Sequence, residues 1–121
     1  MATFVETPDV KLLIDAGASL GPRFGLVPHP IEYKALKEAR NSLERFAIKA
    51  DAITISHYHF DHYTATWSSI ETKWSWSSYD VAKKIYGGKV ILAKDYRDSI
   101  MPAKEEEDGY SARSLMNLLE R

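Results

Sequence analysis

The feature that most constrains this chain is the run His57-Tyr58-His59-Phe60-Asp61-His62, preceded directly by a short apolar stretch. Four metal-ligand side chains fall within six residues, in the pattern H-x-H-x-D-H. Imidazole nitrogen and carboxylate oxygen both bind Zn²⁺, at about 2.0–2.2 Å. The preceding Asp51-Ala52-Ile53-Thr54-Ile55-Ser56 reads as a buried strand. The four side chains then stand at the carboxyl end of a strand, where open α/β sheets place their sites. In extended backbone, residues two apart point the same way, so His57 and His59 are expected to grip one ion together. Asp61 and His62 are adjacent and expected to diverge. That suits a second ion about 3.5–4 Å from the first, with a bridging hydroxide between them. A histidine-rich loop that holds nothing would need all four positions to coincide by chance. A purely structural zinc site is the other plain alternative, but such sites favour cysteine, and the chain has none.

Composition narrows the setting. With 121 residues there is room for one domain at most. The charged fraction of 27% and apolar fraction of 45% are those of an ordinary globular protein. A formal net charge of −1 gives no electrostatic argument for nucleic acid or an anionic membrane. No apolar run approaches the ~20 residues of a membrane span, and the first residues lack the basic start and apolar core of a signal peptide. Absence of cysteine excludes a disulfide scaffold and fits a cytoplasmic location.

The motif also carries a resemblance. Thr54-Ile55-Ser56-His57-Tyr58-His59-Phe60-Asp61-His62 resembles the signature of the metallo-β-lactamase superfamily of metal-dependent hydrolases. Lys11-Leu12-Leu13-Ile14-Asp15-Ala16-Gly17 resembles the strand that precedes it there. Pro28-His29-Pro30-Ile31-Glu32 and the first seven residues resemble an uncharacterised branch of that superfamily. The resemblance covers residues 1 to about 95. It implies half of a four-layer αββα sandwich, with one or two Zn²⁺ ions (Mn²⁺ or Fe²⁺ as alternatives) held by His57, His59, Asp61 and His62. Asp61 would also orient the nucleophile, and the substrate would be a small molecule or a phosphodiester. Members are generally about twice as long and add further ligands downstream, whereas no histidine follows His62 here. The resemblance therefore implies an N-terminal part of such a domain, with its first strand trimmed, completed by a missing C-terminal half or by a second copy.

The remaining sequence supplies the frame: an α/β fold (α+β in some schemes), with a mixed sheet and flanking helices. Thr3 to Thr7 and Lys11 to Asp15 read as a hairpin around Pro8-Asp9. Asp15, at the strand end, is either a second-shell support for a metal ligand or a loop cap. Gly17 to Gly25, with three glycines and Pro22, reads as loop by plain turn chemistry. His29, between two prolines, reads as an exposed loop histidine. Residues 31–49 are expected to be helical, with Leu36, Ala39, Leu43, Phe46 and Ala47 as the apolar stripe. Glu32, Lys34, Lys37, Glu38, Arg40, Glu44 and Arg45 make a solvated face. Strand, helix and strand then give a parallel crossover. Trp67, Trp74 and Trp76 among many Ser and Thr read as aromatics packing a long loop onto the core; base stacking is the competing use, and the charge balance argues against it. Tyr79 to Tyr86 reads as a short helix ended by Gly87-Gly88. Val90-Ile91-Leu92-Ala93 reads as a buried strand, followed by Asp95 as a loop acid. Residues 96–121 read as an acidic loop, a break at Gly109, and a helix capped by Ser111 with Leu115, Met116, Leu118 and Leu119 on one side.

Overall fold

The computed structural model describes residues 2–21, 23–66, 74–94 and 115–119. The expectations for Trp67, Asp95, the acidic run at 105–108, Gly109 and Ser111 lie outside these residues.

The chain opens with a hairpin of β1 (Thr3–Glu6) and β2 (Lys11–Ile14). Its turn is closed by Thr7, whose N–H donates to the Val10 carbonyl and whose hydroxyl oxygen accepts from the Val10 N–H. Next come α1 (Pro30–Lys49), β3 (Ala52–Ile55), α2 (Tyr79–Tyr86) and β4 (Val90–Ala93). The sheet order is β1-β2-β3-β4; β1 runs antiparallel to β2, while β2, β3 and β4 are parallel. This is the mixed sheet with flanking helices that the hydrophobic pattern calls for.

Side chains alternate across a strand, and the register aligns them into rows. Phe4, Leu13, Ile53 and Ile91 share one row. With Ile55 they pack against Leu43 and Ala47 of α1 and Ala82 and Ile85 of α2, and this side holds the core. The opposite rows are Val5, Leu12, Ala52, Val90 and Thr3, Ile14, Thr54, Leu92. Val90 and Leu92 are 61% and 58% exposed. The expected burial of the whole apolar run at 90–92 thus holds for one side of the strand only.

Three features of α1 depart from the sequence reading. Its buried line is Leu36, Arg40, Leu43 and Ala47, whereas Ala39 and Phe46 remain exposed. Arg40, placed on the solvated face by its charge, is only 5% exposed. Its spacing of four from Leu36 and three from Leu43 puts it within the buried stripe. His29, read as a loop histidine, is the N-cap. Its ring accepts from the Ile31 N–H, while Glu32 accepts from the His29 N–H, with Pro30 opening the helix. Arg23 pairs with Glu32 from outside. At the other end, Lys89 donates to the carbonyls of Ile48 and Ala50, a cation where the helix dipole is negative.

Helix α2 is capped by Ser78, whose hydroxyl accepts from the Val81 N–H, and it ends at Gly87 with Gly88 at φ 71°. Left-handed backbone there is what glycine supplies at little cost. Trp74 is half-buried and Trp76 is 41% exposed, its ring stacked on Tyr33 of α1 at 6.3 Å. Residues 115–119 are helical, and Leu115 is fully buried in the core.

Candidate functional site

Because β2 and β3 are adjacent and parallel, the loops that leave their carboxyl ends start side by side. One loop begins with Asp15 and the other with Ser56. Asp15 N–H donates to the Thr54 carbonyl, extending the pairing one residue beyond β2. Asp15 then adopts φ 55°, left-handed backbone that aspartate tolerates better than most residues. Gly17 N–H closes a tight turn onto the Asp15 carbonyl at 2.7 Å.

This turn aims the Asp15 carboxylate across to the second loop. One oxygen accepts from the Ser56 N–H at 2.8 Å; the other accepts from the Ser56 hydroxyl at 2.8 Å and from His62 Nδ1 at 2.9 Å. Burial pushes the Asp15 carboxyl up, but the hydrogen bonds from His62 and Ser56 outweigh it and hold the group below its ordinary value. Gly17 has a separate reason to be glycine. A Cβ there would meet the backbone nitrogen of Tyr63 at 2.4 Å and that of His62 at 2.7 Å, so the two loops touch backbone to backbone. Close approach thus adds to the turn reading of this glycine.

Within the second loop, Tyr58 points inward. Its ring is 6% exposed, and its hydroxyl donates to the Lys94 carbonyl at the end of β4. His57 and His59, on either side, therefore share the outward side, as extended spacing predicts, with ring centroids 4.8 Å apart. The next turn closes with the N–H groups of His62 and Tyr63 both donating to the His59 carbonyl. It swings His62 back until its ring lies 3.9 Å from that of His57. Asp61 and His62 do not diverge: Asp61 Oδ2 lies 3.2 Å from His62 Nε2.

The hydrogen-bond network assigns a tautomer to His57. Ser56 has one hydroxyl proton, and Asp15 takes it. The Ser56 oxygen, 3.0 Å from His57 Nδ1, is then the acceptor. Neutral His57 thus carries its proton on Nδ1 and presents a lone pair on Nε2. Burial and the neighbouring His62 and His59 rings push the His57 imidazole below its ordinary value.

Behind the loops lies a buried polar brace that the sequence did not announce. Arg40 Nη2 donates to the Thr64 hydroxyl at 3.1 Å, and Thr64 donates on to the Ala16 carbonyl at 2.7 Å. The Thr64 N–H donates to the Tyr86 oxygen at 2.8 Å. Burial pushes the Tyr86 phenol well up, so it remains protonated. Helix α1, helix α2 and both site loops meet at Thr64. The signal available in the sequence was the four-three-four spacing that places Arg40 among buried positions.

The fold and site together define a small α+β unit that presents three imidazoles and two carboxylates at the carboxyl ends of two parallel strands. Sequence comparison places this chain beside UPF0282 proteins. One from Thermococcus gammatolerans is 44% identical over 101 residues, 83% of this chain and 33% of that protein. One from Pyrobaculum arsenaticum is 46% identical over 99 residues, 81% of this chain and 31% of its own. One from Methanocaldococcus jannaschii is 46% identical over 95 residues, 78% and 31% respectively. The chain spans about a third of the length of the curated relatives it matches. Their shared name states no activity. No family model matches the chain, and no solved structure matches it.

These findings correct the resemblance to the metallo-β-lactamase superfamily. The relatives are named UPF0282 proteins, and none of these three is named as a metallo-β-lactamase. Among the described residues, no group of three or more His, Asp and Glu side chains is arranged to hold a metal ion. The physical reason is visible at His62, where Nδ1 faces Asp15 and Nε2 faces Asp61. The four motif side chains are brought together, with Asp15 behind them, but they do not aim three donors at one point.

Proposed function

We propose that this chain carries the metal-holding part of a divalent-metal-dependent hydrolase acting on an ester, amide or phosphodiester-type bond. The observation that supports it is the gathering of His57, His59 and His62 with Asp61 and Asp15 at adjoining strand ends. A donor set of imidazoles and carboxylates without thiolate suits Zn²⁺, with Mn²⁺ or Fe²⁺ as alternatives. His57, His59, Asp61 and His62 would hold the ion only once the contacts of His62 with Asp15 and Asp61 give way, since in the structure their donors do not converge on one point. When bound, such an ion makes hydroxide available near neutral pH and polarises the bond to be cleaved.

The chain's own residues do the positioning. Asp15 fixes the His62 ring through Nδ1, the way a supporting carboxylate orients a ligating histidine. Ser56 sets the His57 tautomer that leaves Nε2 with a lone pair. Asp61, 54% exposed, stands on the open side, where it would orient the attacking water. Completion of the ligand set by another segment or a second chain belongs to the same proposal.

A second reading is a non-catalytic metal-binding or assembly module. The engagement of both His62 nitrogens by carboxylates favours it. Zinc content after equilibrium dialysis, followed by hydrolysis assays with and without chelator, separates the two. His59→Ala is expected to lower bound zinc sharply and His29→Ala to leave it unchanged. Equal loss in both variants would refute the ligand assignment. Zinc binding without chelator-sensitive hydrolysis, even with full-length relatives, would favour the module.

A further inference from the structure

A groove of about 760 Å³ lies between the β1–β2 side of the sheet and α1, and Asp61 is in its lining. Phe4 and Leu13 line it from the sheet, Leu36, Leu43 and Phe46 from the helix, and Leu20 from the first site loop. We infer that this groove is a binding site for the uncharged aliphatic portion of a substrate, with the substrate's cleavable group at Asp61 and the histidines. The inference rests on the hydrolase reading above and narrows its substrate class.

Three observations carry it. The first is size: small-molecule sites fall between about 300 and 1,000 Å³ and are lined mostly by apolar side chains. The second is that small residues line the groove. Ala39 is an exposed helix position in the lining, and Ala18 adds little bulk from the loop. Phe46 stays 39% exposed although its ring packs on Phe4 at 4.9 Å. Ala39 and Phe46, the apolar α1 positions left exposed beside the buried line, leave hydrocarbon surface for a ligand.

The third observation is the distribution of charge. Among the described residues Asp61 is the one charged residue in the lining, and it lies 3.2 Å from His62 Nε2. Among the described residues no Lys, Arg or His lines the groove. A charged group lying along the groove would therefore meet no counter-charge among the described residues. An uncharged carboxylic ester or amide with an aliphatic acyl chain has no such conflict. Its hydrolysis adds water across the acyl bond, releasing an acid and an alcohol or amine, and needs no other reactant.

The test uses the metal-free 121-residue chain and unhydrolysed probes: butanamide, hexanamide and octanamide, titrated by NMR. Affinity is expected to rise about tenfold for each added pair of methylenes, with shifts centred on Leu36, Ala39 and Leu43. Ala39→Trp, or Ser42→Phe one turn on, is expected to abolish that rise by filling the groove, and Lys37→Trp on the exposed face to leave it intact. Circular dichroism checks that each variant is folded. Affinity independent of chain length, or a rise that survives both obstructions in folded protein, would overturn the inference and mark the groove as a packing surface for other protein. Because no metal is present, failure of the hydrolase proposal leaves this result standing, and the converse also holds.

Discussion

At the scale of single residues, the site depends on Asp15 and Gly17 more than on the histidines that draw the eye. Asp15 accepts three hydrogen bonds from the second loop while sitting in left-handed backbone. Asp15→Asn keeps the backbone preference and removes the charge. It is expected to destabilise the fold by about 2 kcal/mol, as loss of charged hydrogen bonds does. Asp15→Ala should cost more, since it adds backbone strain. Urea titration of the two variants measures both, and equal stability of Asp15→Asn and wild type would contradict the network. Gly17→Ala forces a methyl against the Tyr63 and His62 backbone nitrogens. The obstacle is main chain, so the loops must part, and a loss of about 1–3 kcal/mol is expected. The outward pairing of His57 and His59 was legible from spacing alone. The return of His62 was not, because it follows from a turn that closes on the His59 carbonyl, and no residue in the motif marks such a turn.

At the scale of elements, the start of α1 gives a pH-dependent prediction. Hydrogen bonding from the His29 N–H, then from Arg23, holds the Glu32 carboxyl below its ordinary value. A carboxyl depressed in the folded state contributes stability that is present above its ordinary pKa and lost as pH falls through the folded one. The first turn of α1 is therefore expected to fray on acidification below the ordinary glutamate range. Protection of the Ile31 and Glu32 amides, taken relative to their intrinsic exchange rates, should fall there, and Glu32→Gln should flatten that dependence. Protection in that turn with no acid dependence would show the cap to be idle. Helices and strands were legible in the sequence from hydrophobic period and turn residues: Gly87-Gly88 ends α2 as the sequence reading has it, whereas that reading gives the N-caps Ser78 and His29 no capping role. The buried line of α1 was misplaced because a charged residue, Arg40, occupies it. Charge argued for solvent, while the spacing from Leu36 to Ala47 argued for burial, and the spacing prevailed by giving Arg40 a partner in Thr64.

At the scale of the whole molecule, the two sides of the sheet are unequal. The helix side buries Leu13, Ile53 and Ile55 almost completely. The other side aligns Val5, Leu12, Ala52 and Val90 in one row and Ile14 and Leu92 in the next. Val5 is 39% exposed on that side at one edge of the sheet, and Val90 and Leu92 are still more exposed at the other. The alternation within each strand made this apolar side legible in the sequence, but what covers it was not, since a cover need not come from the same 121 residues. A contiguous apolar patch is unusual on a monomer surface, and both sheet edges, β1 and β4, add strand edges that invite pairing. Covering such a surface stabilises by roughly 25 cal/mol per Å² before the cost of association is met. The simplest cover is a second copy related by a two-fold axis, which presents the same rows to themselves. The purified chain is therefore expected to sediment as a dimer or larger species at micromolar concentration. Val90→Lys combined with Leu92→Glu places charges in both rows without touching the helix side. That variant should sediment as a monomer with unchanged helical circular dichroism. Wild-type chain that remains monomeric at a hundred micromolar, with a cooperative unfolding transition, would show that the open side needs no partner.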